Sequence, residues 1–209
     1  MQASPLAHHF ENIEKQSHAE RLGMWLFLAS EVLLFTALFA AYAVYRYLYS
    51  DAFAEASRAI ETWFGLVNTV ILVTSSFTVA LGLNEAVKGN GRKTGLWFAV
   101  SVAFALAFLA LKAVEYSHHF QEGQLPGRYY SFHELQAPGA SLFFSLYFLI
   151  TGLHGVHVIV GMTILAVVGV KAARGKYTAT YHTPVELAGL YWHLVDLIWI
   201  FVFPLIYLV

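Results

Sequence analysis

The sequence predicts an all-α membrane protein, a bundle of five transmembrane helices. Three observations carry that prediction. Of the 209 residues 58% are apolar and only 12% charged, about half the roughly 25% charge of an ordinary soluble domain. Five stretches reach the about 20 predominantly apolar residues needed to cross a hydrocarbon core of about 30 Å. No period-2 alternation of the kind that barrel strands require accompanies them, so each stretch must satisfy its backbone internally as a helix.

The first span runs from about Gly23 to Leu48 and follows a polar segment, residues 1–22, with His8, His9, Glu11, Glu14, Lys15, Glu20 and Arg21. That segment lacks the short apolar core and small-residue cleavage site of a secretory signal, so it reads as a leading segment that is kept. The second span, Thr62 to Leu83, carries Asn68, Thr69, Thr74, Ser75, Ser76 and Thr78, groups suited to bonds between helices. The third, Gly95 to Tyr116, ends with Lys112 and Glu115, which pair or snorkel, and is followed by His118 and His119 in an expected exposed loop. The fourth, Ala140 to Val168, mixes Gly152, Gly155 and Gly161 with His154 and His157, a composition that lets helices approach closely. The fifth, Glu186 to Val209, holds His193 and Asp196, with Pro204 where a kink is tolerated. The connections Tyr49 to Glu61, Asn84 to Thr94, Ser117 to Gly139 and Gly169 to Val185 are polar or rich in turn residues.

An odd number of spans puts the termini on opposite sides. The N-terminal side holds Lys15, Arg21, Lys88, Arg92, Lys93, Lys171, Arg174 and Lys176, the other Arg46, Arg58, Lys112 and Arg128. Positive charge is retained in the cytoplasm, so this excess predicts a cytoplasmic N-terminus and a periplasmic C-terminus. Tyr42, Tyr45, Tyr47, Tyr49 and Trp63 gather at the outer boundary of the first two spans, as amphipathic rings do.

Composition also excludes whole classes of chemistry. With no Cys there are no disulfides, no thiolate catalysis and no thiolate-ligated clusters. Twelve Lys and Arg balance thirteen Asp and Glu, without a basic arm, which argues against a nucleic-acid partner. No internal repeat suggests the inverted halves of a transporter.

An ionisable residue at mid-membrane costs about 2.5–3.5 kcal/mol on insertion scales, so each needs a reason. Glu31 sits about 12 Å into the first span among hydrocarbon side chains. It is expected to be protonated or paired with a group from another helix, and two readings stand, a proton-exchanging carboxyl and an interhelical hydrogen bond. His193 and Asp196, three apart on one helical face, are expected to bond to each other, as a relay, a metal's outer partner or a polar anchor. On that expectation Asp196→Ala strands His193 in a low dielectric. His154 and His157 have the same spacing, compatible with shared metal coordination only if His193 or Glu31 converges on them.

Three segments together resemble subunit III of the haem–copper oxidases: Gly23–Met24–Trp25–Leu26–Phe27–Leu28–Ala29–Ser30–Glu31, Gly152–Leu153–His154–Gly155–Val156–His157–Val158–Ile159–Val160–Gly161 and Tyr191–Trp192–His193–Leu194–Val195–Asp196–Leu197–Ile198–Trp199. The likeness extends from about Arg21 to the C-terminus and is to the five-span bacterial form of a family that also occurs with seven. It implies a non-catalytic subunit in the bacterial cytoplasmic (inner) membrane that holds no haem, copper or other metal and packs against the large catalytic subunit I and subunit II. Haem and copper belong to those partners, in a respiratory complex that reduces dioxygen to water while pumping protons, with electrons from cytochrome c or quinol. A related complex associated with nitric oxide reduction is a further possibility, and phospholipid is an implied companion. Glu31 matches the family's carbodiimide-reactive intramembrane carboxyl. His154, His157, His193 and Asp196, with Trp192 and Trp199 beside them, match polar positions carried over as structural or lipid-proximal. Against the family reading stand two others, a stand-alone proton or ion carrier built on Glu31, Asp196 and the histidines and a metalloenzyme built on His154, His157 and His193.

Overall fold

The computed structural model describes residue 6, residues 10–132 and residues 135–208; His8, His9 and the Val209 end of the last span lie outside the described residues. Its helices are α1 (Ile13–Leu48), α2 (Ser50–Arg58), α3 (Thr62–Val87), α4 (Gly91–Glu122), α5 (Ala140–Ala173) and α6 (Thr183–Tyr207), with one 3-10 turn at Gly127–Tyr129. No strand occurs among the described residues. All but α2 are long and apolar enough to cross a membrane, so the fold is the expected all-α bundle of five spans.

α1 begins ten residues before the apolar stretch does. Asn12 caps it, its side chain accepting from the Lys15 backbone N–H at 2.8 Å, and no Gly or Pro interrupts residues 13–22. This polar turn region clamps onto the start of α6: Gln16 donates to the Tyr181 hydroxyl at 3.3 Å, Ser17 meets Thr183 at 3.0 Å, and Arg21 reaches Glu186 at 2.7 Å. Within the membrane α1 buries only Leu28, Phe35 and Tyr42. These lie seven apart, two helical turns, so α1 meets the bundle along one narrow seam.

The connection read as polar and turn-rich, Tyr49 to Glu61, contains α2. Its Ala52, Phe53, Ala56 and Ser57 are buried, one face of a short helix lying over the end of the bundle. Phe53 stands edge-on to Phe143 at 5.3 Å, and the Ser57 hydroxyl donates to the Ile206 carbonyl at 2.8 Å. The sequence signal was the run of residues 50–59 without Gly or Pro.

α3 to α6 form the dense part. α3 and α4 are joined by hydroxyls, with Thr78 and Ser101 at 2.7 Å. α4 and α5 approach backbone to backbone at Gly91 and Gly95: a Cβ at Gly91 would lie 2.2 Å from the Ala172 carbonyl oxygen, and one at Gly95 2.8 Å from that of Gly169. α6 fills the centre, with Trp192, Val195, Trp199, Val202 and Ile206 fully buried. Gly123, at φ 76°, takes the left-handed conformation that ends α4.

Candidate functional site

The intramembrane polar groups fall into three places. At the α1–α5 seam Glu31 Oε2 lies 2.8 Å from His157 Nε2, with both side chains largely buried. His157 Nδ1 is 2.8 Å from the Leu153 carbonyl oxygen, which can only accept, so Nδ1 carries a hydrogen. Nε2 then bears a hydrogen only in the imidazolium. The pair therefore shares one proton: either the Glu31 carboxyl donates to a neutral ring or a carboxylate accepts from a charged one. Phe35 stands edge-on to the same ring at 5.2 Å and screens it.

His154 does not join this pair. Residues three apart on a helix are about 60° apart around its axis, and here that separates two neighbours: His157 faces α1, while His154 turns inward between Phe108 and Trp199, at 5.7 and 5.1 Å. The same rotation separates His193 from Asp196. His193 Nδ1 meets the Ser76 hydroxyl at 2.6 Å, whereas both Asp196 oxygens are buried and have no partner within hydrogen-bond distance among the described residues, although the same Ser76 faces them. The expected His193–Asp196 bond is therefore corrected, and with it the expectation that Asp196→Ala strands His193. Losing an unpartnered buried carboxyl removes a desolvation cost. Asp196→Asn is expected to leave thermal stability within about 1 kcal/mol of the parent, read by unfolding of the purified protein.

Trp192 and Trp199 anchor α6 to α3 through their indole N–H groups, donating to Ser75 at 3.1 Å and to Thr69 at 3.0 Å. No group of three or more His, Asp or Glu side chains among the described residues converges as a metal would require. Between α1 and α6 lies an apolar groove of about 640 Å³ whose walls include Trp25, Leu28, Leu33, Leu190 and Leu194, with His193 as its polar member.

The third place is the one that sequence reasoning underrated. Lys112 and Glu115 do not snorkel; their side chains are 8% and 2% exposed. Lys112 Nζ donates to Glu115 Oε2 at 3.0 Å, to the Tyr147 hydroxyl at 3.2 Å and to the Tyr207 hydroxyl at 2.9 Å. Both phenols in turn donate to Glu115 Oε1, at 2.7 and 2.6 Å. All three ammonium hydrogens and both carboxylate oxygens are thereby used in one closed knot joining α4, α5 and α6. Four rings, those of Tyr116, Tyr147, Trp199 and Tyr207, lie 5.0–5.6 Å from the ammonium. His119, expected in an exposed loop, belongs to α4 and is buried beside the knot, while His118 is exposed. The spacing 112, 115, 119 along one helical face was the available signal.

Five apolar spans, a carboxyl–imidazole pair between helices and an ion pair closed on itself define a multi-pass α-helical membrane protein. The sequence profile described as cytochrome c oxidase subunit III matches residues 3–209. Among curated relatives, cytochrome c oxidase subunit 3 of Synechocystis sp. is 36% identical over 89% of this chain and 74% of its own length. The protein of the same name from Alkalihalophilus pseudofirmus is 31% identical over 97% and 93%. Cytochrome bo(3) ubiquinol oxidase subunit 3 of Pseudomonas putida is 32% identical over 90% and 84%. The chain belongs to the cytochrome c oxidase subunit III family, the subunit III of haem–copper oxidases.

Proposed function

We propose that this chain is the non-catalytic subunit III of a proton-pumping terminal oxidase that takes electrons from cytochrome c and reduces dioxygen to water. It lies in the bacterial cytoplasmic membrane with its N-terminus in the cytoplasm, binds subunits I and II, and stabilises the catalytic subunit and its proton uptake. Haem and copper are held by those partners. The observation that carries this reading is that Glu31 and His157, and Lys112 and Glu115, spend their polarity on bonds between helices of the bundle. The groove between α1 and α6 takes phospholipid acyl chains, its walls being almost wholly apolar. A quinol oxidase is the second reading, favoured by the 32% identity to the Pseudomonas putida relative.

Purification through a tag on this chain in mild detergent tests the assignment. Reduced haem bands and a large membrane subunit in the mass spectrum are the expected result, with turnover on reduced cytochrome c exceeding that on quinol. The reverse preference selects the quinol oxidase. A colourless, partner-free protein that dissipates a proton gradient overturns both.

Glu31→Gln is expected to leave assembly intact, with a stability change within about 1 kcal/mol, because the amide N–H replaces the carboxyl O–H toward His157. Reaction with a hydrophobic carbodiimide, followed by mass spectrometry, is expected to disappear in the same variant. Failed assembly means that Glu31 is needed as a charge.

A further inference from the structure

The end of α4 holds a buried group for which the reading above has no use. The His119 side chain is 5% exposed. Its Nδ1 lies 2.5 Å from Gln124 Oε1, and Gln124 Nε2 donates to Glu122 Oε2 at 2.8 Å. The amide's orientation leaves Oε1 as an acceptor, so the hydrogen of a neutral His119 ring sits on Nδ1 and Nε2 is a bare lone pair. Among the described residues that lone pair has no partner within hydrogen-bond distance, and it faces Glu115 Oε1 at 3.9 Å. Two acceptors opposed at this distance in a low dielectric repel, and one proton on Nε2 turns the contact into an attraction. Both residues line a pocket of about 30 Å³, whose other walls include Glu61, Phe64, His118 and Glu122. This is room for one water molecule.

We propose that this pocket is a proton-binding site. His119 takes a second proton at Nε2 from the aqueous phase at this end of the bundle, directly or through a single water, and the imidazolium so formed pairs electrostatically with the Glu115 carboxylate 3.9 Å away. One N–H bond forms, the ring becomes an imidazolium, and the proton returns to the same aqueous phase when the site empties. The junction of α2 and α3 contributes Glu61, whose carboxylate is 4.0 Å from His118. α4 contributes Lys112, Glu115, His118 and Glu122, and the segment after it contributes Gln124. α5 contributes Tyr147, with Phe144 and Phe148 against the His119 ring, and α6 contributes Tyr207 through Glu115. Among these described groups Glu61, Glu115 and Glu122 favour the proton. Lys112 opposes it from the far oxygen of Glu115. When occupied, the site adds a fourth arm to the Lys112–Glu115–Tyr147–Tyr207 knot and ties Gln124 to the bundle. With the orientation proposed above, it senses acidity on the periplasmic side; the site itself does not depend on that orientation.

The test uses the oxidase complex in vesicles of sorted orientation, with ring-¹⁵N histidine, and infrared difference spectra recorded as the pH of one bath is changed. The expected result is an imidazole-to-imidazolium signal that follows the bath facing the Glu122 end of α4 and is absent from His119→Gln, while the exposed His118 keeps its own signal. Its midpoint is expected to fall by at least one pH unit, a tenfold loss of proton affinity, in the double variant Lys112→Met/Glu115→Gln, which removes the carboxylate charge together with the cation. It is expected to rise by a similar amount in Gln124→Glu, which reads the same site without touching the knot. A spectrum identical in the parent and His119→Gln, or a midpoint unmoved by both other changes, overturns the proposal. A signal that follows the opposite bath, yet vanishes in His119→Gln, supports the site and overturns the orientation.

Discussion

Replacing Lys112 with Met will destabilise the bundle by about 3–5 kcal/mol, the usual cost of removing one partner from a buried ion pair. The change leaves the Glu115 carboxylate 2% exposed with two phenols and no cation. It also leaves the Tyr147 and Tyr207 oxygens without the donor they shared. The double variant Lys112→Met/Glu115→Gln removes both charges, keeps an acceptor for the phenols and is expected to recover most of the loss. Detergent-solubilised complex, unfolded by heat or denaturant, gives both numbers. Equal damage in single and double variants would mean that shape and not charge holds α4, α5 and α6 together here.

The second large effect needs only one methyl group. Gly91→Ala places a Cβ at 2.2 Å and Gly95→Ala one at 2.8 Å from backbone carbonyl oxygens of α5. A backbone atom cannot rotate away as a side chain does, so the helices themselves must part. Overpacking typically costs about 1–3 kcal/mol, and a carbonyl as the obstacle favours the upper end. For a chain of this size each 1 kcal/mol shifts the midpoint by about 2–4 °C, so a fall of about 6–12 °C is expected in a melting curve. Gly155→Ala, where no atom lies within 4 Å of the added Cβ, is the matched control within α5. A fall as large in that control would move the cause from the α4–α5 approach to glycine as such.

The five spans were legible because lipid leaves the backbone little choice: a run as apolar as residues 23–48 must be a helix, whatever it later touches. Helix ends were less legible, since caps act where hydropathy is silent. Asn12 started α1 among polar residues, and α2 formed from a segment too short and too mixed to register. The site was legible in its members and not in its pairings. Glu31 demanded a partner, and His157 met that demand. His193 and Asp196 looked like a pair by spacing, yet the rotation of α6 took His193 to Ser76 and left Asp196 with no partner in hydrogen-bond distance among the described residues, whereas Lys112 and Glu115 at the same spacing do pair. Such a rotation is decided by neighbouring helices, which a single sequence does not order. Tyr147 and Tyr207 were invisible for the same reason, being 32 and 92 residues from the Glu115 they serve.

Those separations also set a timetable for synthesis. α1 leaves the ribosome first, but the bond that occupies Glu31 comes from a histidine 126 residues further along. At about 5–20 residues per second, Glu31 waits about 6–25 s in the membrane or at its translocation machinery before His157 exists. The Arg21–Glu186 clamp, 165 residues long in sequence, closes later still. Throughout that interval Tyr42 can dock on Phe53 of α2, but Phe35 lacks the His157 ring it stands against, and the carboxyl has no partner. Of these six helices α1 is made before the others and is among the last secured.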